Sequence, residues 1–284
     1  MIWIFLTFAH LAGLVGYTLL LRKSTLGKLN KLVMSALMMT AVFLPSLIFL
    51  ALGRVNFHHS PLEWFFLILP GFTLTGYFIL NTYALTYLDA SVYSIIFNLR
   101  LIGTTILGYL ILKELPQALQ MLGGLIIFAS ILLLNLHKNK QWKSKPVLLG
   151  FITMVWFCFH VLLEKYNLLH INLETYFFIV FFIGTILSWV FVFLKRIKIK
   201  NEIEHIKDKK IYWLLITRII SGYTYTYALK FGSLAIINYV SGMSVALIVL
   251  FGIYILGERE KITQKLFAVA VACIGLTLIL ISKL

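Results

Sequence analysis

The tetrapeptide Thr82-Tyr83-Ala84-Leu85 recurs letter for letter as Thr226-Tyr227-Ala228-Leu229, 144 positions further along the chain. The same shift, with no gap, also places Glu114 on Glu258. Apolar matches are common by chance in a sequence this rich in apolar residues, but the tetrapeptide and the two glutamates are not. The shift therefore predicts that the chain is an internal repeat of two similar halves.

The composition predicts that the repeat is embedded in lipid. Hydrophobic residues make up 61% of the 284 residues and charged residues only 12%, whereas soluble domains are about half apolar and about a quarter charged. The surplus apolar surface requires a bilayer as its solvent. The net charge of +15 lies mainly in short gaps between apolar runs, and no basic face with interleaved aromatic residues appears, so nucleic-acid binding is not expected.

The apolar runs predict an all-α integral membrane protein with ten transmembrane helices. A span requires about 20 apolar residues, and lipid requires every backbone group to be paired within the segment. Strands of a membrane barrel would be about half as long and would alternate in polarity. The predicted spans are Ile2–Leu21, Leu32–Leu52, Trp64–Tyr87, Ser91–Leu112, Gln117–Leu136, Val147–Leu163, Leu173–Leu194, Ile211–Lys230, Leu234–Leu256 and Ile262–Ile281.

The spacing of the repeat predicts that the two halves are inverted. Five spans separate the matching motifs, so residues 147–284 enter the membrane in the opposite sense to residues 1–136, with a basic linker at 137–146. Inverted repeats are typical of secondary transporters, which bind substrate near the midplane between the repeats.

The distribution of Lys and Arg predicts the orientation. The gaps after odd-numbered spans carry most of these residues, and cytoplasmic loops are enriched in them. We therefore expect a multi-pass protein of the cell (inner) membrane with both termini outside and the odd-numbered loops in the cytoplasm. The basic loop 195–210 is expected to be solvated rather than helical.

The repeated motifs resemble the drug/metabolite transporter superfamily, and within it the EamA-type carriers. In that family each five-helix unit ends its third helix in "AL-x-y" and its fourth in "l-G-E", and it often has a proline in the middle of the fourth helix. No proline occurs here at 98–101 or 242–245. The residues that carry the resemblance are Ala84-Leu85-Thr86-Tyr87, Leu112-Lys113-Glu114, Ala228-Leu229-Lys230-Phe231, Leu256-Gly257-Glu258, the pair Trp156 and Lys165, and Arg218.

The resemblance implies alternating-access transport of small organic solutes, such as amino acids, amines, sugar derivatives, nucleotide-like molecules or drugs. Taken with the repeat, it predicts a secondary active transporter with a central site for a metabolite that bears an anionic group. The alternative is a membrane-embedded enzyme or flippase acting on a lipid-linked or amphiphilic substrate. No catalytic motif is found, so the protein is not expected to be an enzyme. The expected partners are a small molecule and the bilayer, with the chain a monomer or homodimer.

Arg100 is the first candidate for substrate binding, because it lies near the middle of a predicted span. A charge at that depth costs about 2.5–3.5 kcal/mol on insertion scales and normally faces the bundle interior. It meets either an anionic group of the substrate or an internal partner. No Asp or Glu lies at matching depth in the predicted spans, which favours the substrate.

Further candidates are polar or aromatic side chains in otherwise apolar helices, which are expected to face inward. Tyr93, Phe97 and Arg100 follow one another at intervals of four and three residues, so one helix face presents all three. Arg218 is a further candidate for substrate binding and is expected to lie closer to the membrane surface than Arg100. The remaining predicted substrate-binding residues are Asn98, Tyr83, Tyr227, Asn238 and Trp156.

Two histidines and two glutamates are assigned other roles. His10 and His160 lie in the first helices of the two halves and are candidates for proton coupling, because histidine titrates near neutral pH. A buried structural histidine is the alternative. Glu114 and Glu258 end equivalent spans, which favours a structural or gating role. No metal site is expected, because further ligands at close spacing are lacking, and no cofactor is predicted.

Overall fold

The computed structural model describes residues 2–25, 29–88, 93, 96–114, 116–135, 145–255 and 262–282. Glu258 and most of the predicted linker at 137–146 lie outside these ranges. The described residues contain helices and no strand. The helices are α1 (Ile2–Thr25), α2 (Lys31–Ala51), α3 (Pro61–Tyr87), α4 (Arg100–Leu112), α5 (Ala118–Asn135), α6 (Lys145–His170), α7 (Leu173–Leu194), α8 (Lys209–Phe231), α9 (Leu234–Gly242), α10 (Ser244–Ile255) and α11 (Ile262–Ile281).

Length and hydropathy make this chain a helical multi-pass membrane protein. Five of the described helices are long and apolar enough to cross a bilayer: α1, α2, α3, α6 and α7. Helix α8 is 23 residues long but is the least apolar of the long helices, because it carries Arg218, several tyrosines and lysines at both ends. Shorter apolar helices occur at Ile96–Leu112, Ala118–Ser130, Leu234–Ile248 and Leu266–Ile281.

Side chains from the connecting loops cap several helices where they begin. The Asn30 side chain accepts a hydrogen bond from the backbone N–H of Leu32 at the start of α2. Ser60 and Glu63 form a capping box at the start of α3. Such caps pair backbone N–H groups that the first helical turn leaves free. The loop 195–210 contains a short 3-10 helix, Ile199–Asn201, and a one-turn helix, Ile203–Ile206, so it is partly helical, contrary to the expectation.

The predicted fourth and ninth spans contain the same interruption. At Leu99 the backbone N–H bonds to the carbonyl of Ile96 at 3.2 Å, and at Met243 it bonds to that of Val240 at 3.1 Å. Each bond reaches back three residues instead of four. The backbone angles also agree, at φ −58°, ψ −17° for Leu99 and φ −62°, ψ −16° for Met243. The ninth span is therefore two helices, α9 and α10, and the two breaks are 144 positions apart although neither contains proline.

The helix contacts between the two predicted halves come in matching sets. Helix α1 packs on α8, and α6 packs on α3; α3 packs on α7, and α8 packs on α2. Helix α4 packs on α6, and α1 packs on α9 and α10. The pairs α2 with α7, α4 with α9, and α5 with α11 join equivalent spans directly. When both spans of a contacting pair are exchanged for the spans five places away in the chain, the result is again a pair in this set. The contacts therefore have the symmetry that a five-span repeat requires.

Glycines allow two of these helix pairs to approach closely. A Cβ on Gly123 of α5 would lie 2.5 Å from the carbonyl oxygen of Gly275, and one on Gly275 of α11 would lie 2.6 Å from that of Gly123. A Cβ on Gly13 of α1 would lie 2.8 Å from the backbone nitrogen of Ser221 in α8. Small residues at such crossings allow helix backbones to pack directly against each other in a membrane.

Candidate functional site

A cavity lies among α1, α3, α4, α6, α7 and α8. Its empty space is about 650 Å³, which includes the part that opens toward solvent. Pockets for small organic ligands are mostly apolar with a few polar groups that orient the ligand. Here the polar lining residues are His10, Tyr17, Tyr77, Arg100, His160, Glu164, Tyr176, Arg218, Ser221, Tyr225 and Thr226.

Arg100 enters this cavity from the first residue of α4, directly after the break at Leu99. Its Cζ atom lies 4.7 Å from the ring centroid of Phe97 and 5.1 Å from that of Phe157. The residue is only 4% exposed, and its Nε atom has no hydrogen-bond partner within the described ranges. The two rings therefore support the guanidinium through cation–π contacts, and its charge faces the cavity.

Arg218 provides a second guanidinium in the same cavity, on α8. Its Cζ atom lies 4.3 Å from the ring centroid of Phe78 and 5.8 Å from that of Tyr17. Its Nε atom also lacks a hydrogen-bond partner among the described residues. The expectation that Arg218 lies near the membrane surface is therefore wrong. Within the described part of the chain, no Asp or Glu lies within ion-pair distance of either arginine.

Glu164 is a cavity residue that the sequence interpretation missed. The predicted sixth span ended at Leu163, but α6 continues to His170, which places Glu164 within the helix at 4% exposure. Thr226 donates its hydroxyl to Oε1 at 2.5 Å, and His160 Nε2 lies 3.6 Å from Oε2. The statement that no acid lies at the depth of the arginines is therefore wrong. The spacing of four between a histidine and an acid was the available signal, since it places both on one helix face.

The two histidines line the cavity, and each bonds to a helix of the other predicted half. His10 Nδ1 on α1 is 2.9 Å from the carbonyl oxygen of Ser221 on α8. His160 Nδ1 on α6 is 3.0 Å from the hydroxyl oxygen of Thr73 on α3. In the ranges that the structure describes, no group of three or more His, Cys, Asp or Glu side chains is placed to hold a metal ion.

Tyr93 and Phe97 form the layer behind Arg100 rather than the cavity wall itself. Their rings stack with centroids 5.4 Å apart at 15°. The Tyr93 hydroxyl donates to the Asn81 side chain, whose Nδ2 donates to the Tyr17 hydroxyl at 3.1 Å. Tyr17 lines the cavity. A chain of hydrogen bonds therefore holds this side of the cavity in place.

The second half contains a similar bond between its third and fourth spans. The Tyr225 hydroxyl, which lines the cavity, donates to Oδ1 of the fully buried Asn238 at 3.2 Å. In the first half, Tyr93 lies on the fourth span and Asn81 on the third. In the second half the tyrosine lies on the third span and the asparagine on the fourth. Asn238 therefore lies behind the cavity, as does the buried Asn98.

Three further predicted binding residues, Tyr83, Tyr227 and Trp156, also do not line the cavity. Tyr83 and Tyr227 are half-buried at the ends of α3 and α8. Trp156 is 40% exposed, and its Nε1 donates to the carbonyl oxygen of Thr73 at 2.6 Å. A partly exposed indole with a bonded N–H suits a residue at the outer surface of the bundle.

Glu114 belongs to a cluster of polar contacts that connects several helices. Its Oε1 lies 3.5 Å from Lys165 Nζ, and its Oε2 accepts the backbone N–H of Leu234 at 2.8 Å. Lys165 also donates to the carbonyl oxygens of Leu229 and Gly232, both at 2.8 Å. This cluster ties the end of α4 to α6 and to the turn between α8 and α9, beside the cavity residue Glu164. Glu258, the repeat equivalent of Glu114, lies outside the described residues.

Comparison with known proteins gives the family. The sequence model of the EamA-like transporter family matches residues 1–136 and 144–281. No curated protein matches the chain in sequence. One crystal structure of a protein with 14% identity has a similar fold, with a TM-score of 0.71 over 96% of this chain and 97% of that chain. The chain therefore belongs to the EamA-like transporter family, within the drug/metabolite transporter superfamily.

Proposed function

We propose that this membrane transporter is a secondary active carrier that moves a small organic metabolite bearing an anionic group across the cell membrane by alternating access. The observation that carries the proposal is a pair of guanidiniums in one cavity, the buried Arg100 and the half-buried Arg218, with no Asp or Glu within ion-pair distance of either among the described residues. Carboxylates and phosphates match the planar donor set of arginine. An amino acid, another carboxylate or a nucleotide-like molecule fits this requirement.

The proposal that the two halves are inverted repeats is supported by several observations that agree. The breaks at Leu99 and Met243 are equivalent, the contacts between helices come in matching sets, and the family model matches twice. Arg100 belongs to the first half and Arg218 to the second. A relative movement of the halves therefore changes the separation of the two cations, which ties substrate affinity to conformation.

The proposed orientation has a consequence for access to the site. With both termini outside, the Glu114–Lys165 ion pair lies at the outer end of the helices. It links α4 of the first half to α6 of the second, so it closes the outer end of the path and must break before the cavity opens there.

Uptake into proteoliposomes tests the function. The purified protein is reconstituted, and entry of labelled succinate, glutamate, phosphate and uridine monophosphate is measured against protein-free vesicles. We expect at least one of these anions to enter. Arg100→Gln is expected to lower that uptake about tenfold or more, because a hydrogen bond to a charged group is worth about 1.5–3 kcal/mol.

The matched control is Arg54→Gln, which removes an exposed guanidinium outside the cavity and is expected to leave uptake unchanged. Uptake of an anion that is equal in the wild type and Arg100→Gln would contradict the assignment of Arg100. Absence of flux for all solutes tested, extended to cationic and neutral metabolites, would contradict transport itself.

A further inference from the structure

Glu164 is an acid in the cavity with an unusual set of neighbours. Its carboxylate accepts a hydroxyl hydrogen bond from Thr226, and the nearest basic group is His160, whose Nε2 lies 3.6 Å away. In the described part of the chain, no Lys or Arg lies within ion-pair distance of it. A carboxylate at 4% exposure inside a membrane protein must be paired with a charge or must hold a proton.

Charged and titratable groups face Glu164 from every side of the cavity. The two guanidiniums raise the positive potential around it, and the histidines and tyrosines provide hydrogen-bonding groups but no fixed counter-charge. By helix, these groups are His10 and Tyr17 on α1, Tyr77 on α3, Arg100 on α4, His160 on α6, Tyr176 on α7, and Arg218 and Tyr225 on α8.

The charges in the cavity couple proton binding at Glu164 to binding of an anionic substrate. When the cavity is empty of solute, the two arginines favour an ionised Glu164. An anion that binds between the arginines neutralises their field and adds a like charge near the carboxylate. Both effects favour the protonated acid, so anion binding and proton binding each strengthen the other, as linkage requires.

We propose that Glu164, together with His160, is the proton-binding site of this carrier, and that one proton is transported in the same direction as the anionic substrate. The proposal rests on the proposed transport function. It assigns the coupling role to a different group from the histidine pair alone: the acid accepts the proton, and His160 relays it or shares it.

The position of Glu164 connects this step to the conformational change. Its hydrogen bond to Thr226 joins α6 to α8, and the next residue, Lys165, forms the ion pair with Glu114. Protonation removes a negative charge one residue away from that contact. Loading of the proton and the anion therefore acts on the same segment of α6 that closes one end of the path.

A pH gradient across proteoliposomes tests the coupling. Vesicles with the membrane potential clamped at zero by potassium and valinomycin receive labelled succinate, glutamate or phosphate with the outer solution one pH unit more acidic. The wild type is expected to accumulate a transported anion about tenfold, because one proton per anion balances a tenfold proton gradient. A pH dye inside the vesicles is expected to record one proton entering per anion.

Variants separate coupling from transport. Glu164→Gln imitates the protonated acid, so it is expected to retain exchange of internal for external anion while losing the accumulation driven by the pH gradient. The matched control Glu204→Gln removes an exposed acid in the loop 195–210 and is expected to behave as the wild type.

Several results would overturn the proposal. These are wild-type accumulation that ignores the pH gradient, accumulation that requires sodium and stops in choline, and a folded Glu164→Gln protein that either keeps pH-driven accumulation or loses exchange. If Glu164→Gln does not fold, the number of protons that enter with each anion in the wild type tests the coupling. Absence of flux for every solute would instead contradict the proposed function, and this inference would fall with it.

Discussion

The two cavity arginines lie on α4 and α8, and each contacts aromatic rings rather than an acid within the described residues. We expect Arg218→Gln to lower uptake of the transported anion about tenfold or more, as for Arg100→Gln. The double variant is expected to lose little more than either single variant, because both side chains bind the same group and their effects are not independent. A double-mutant cycle of uptake rates measures this; strictly additive losses would contradict a shared ligand.

Trp156 provides a contrasting test, because it is partly exposed and does not line the cavity. Trp156→Phe removes the hydrogen bond to the Thr73 carbonyl and retains an aromatic ring. We expect uptake to change less than about twofold, since a single neutral hydrogen bond is worth about 1 kcal/mol and no substrate contact is lost. A tenfold loss of uptake with normal folding would place Trp156 in the substrate path.

The inward position of Arg100 is predictable from sequence, because one basic residue within an apolar run has few explanations; its role in binding stays a prediction. Glu164 was missed, since Leu163-Glu164-Lys165 resembles the polar end of a span and hydropathy does not show that α6 continues to His170. Tyr83 and Tyr227 were predicted to bind substrate because their motif is repeated, but neither lines the cavity. Repetition of a motif identifies equivalent positions in two halves, and these two positions lie near helix ends.

At the scale of elements, the crossing of α5 and α11 depends on two glycines. Gly123→Ala places a Cβ 2.5 Å from the Gly275 carbonyl oxygen, so the helices must separate. We expect the melting temperature in detergent to fall by several degrees, from a loss of about 1–3 kcal/mol typical of overpacking.

Gly108→Ala is the matched control for that crossing, because a Cβ there meets only Leu234 Cδ2 at 3.6 Å, an ordinary contact. It is expected to leave the melting temperature unchanged or to raise it slightly, since alanine favours helix over glycine. Equal destabilisation by both substitutions would show that general helix effects, and not the crossing, determine the result.

Helices were the most predictable elements, because continuous apolar runs near the length of a bilayer leave few alternatives. The breaks at Leu99 and Met243 were not predicted, since no proline or paired glycine marks them. They depend on packing of the fourth and ninth spans against neighbouring helices, which sequence periodicity does not contain. The expected family resemblance is confirmed by the match over both halves.

At the scale of the whole molecule, the proposed topology places both termini and the loop at 53–60 outside and the basic loop 195–210 in the cytoplasm. Single cysteines at His58 and Lys198, both exposed in the structure, test this after Cys158 and Cys273 are replaced by alanine. We expect a membrane-impermeant thiol reagent to label His58→Cys in intact cells and Lys198→Cys only after lysis. The reverse pattern would invert the protein in the membrane and place the Glu114–Lys165 contact at the cytoplasmic end.

We propose that an anion binds between Arg100 and Arg218, and a thermal-shift screen of the purified protein measures this binding. Succinate, glutamate, phosphate and nucleotide monophosphates are added to the wild type and to the double variant Arg100→Gln with Arg218→Gln, with potassium chloride at equal ionic strength as the reference. Ligand at about 100 times its Kd stabilises the folded state by about 2.7 kcal/mol. We expect at least one anion to raise the melting temperature of the wild type by several degrees and to leave that of the folded double variant unchanged. An anion that stabilises both proteins equally would contradict binding between the two arginines.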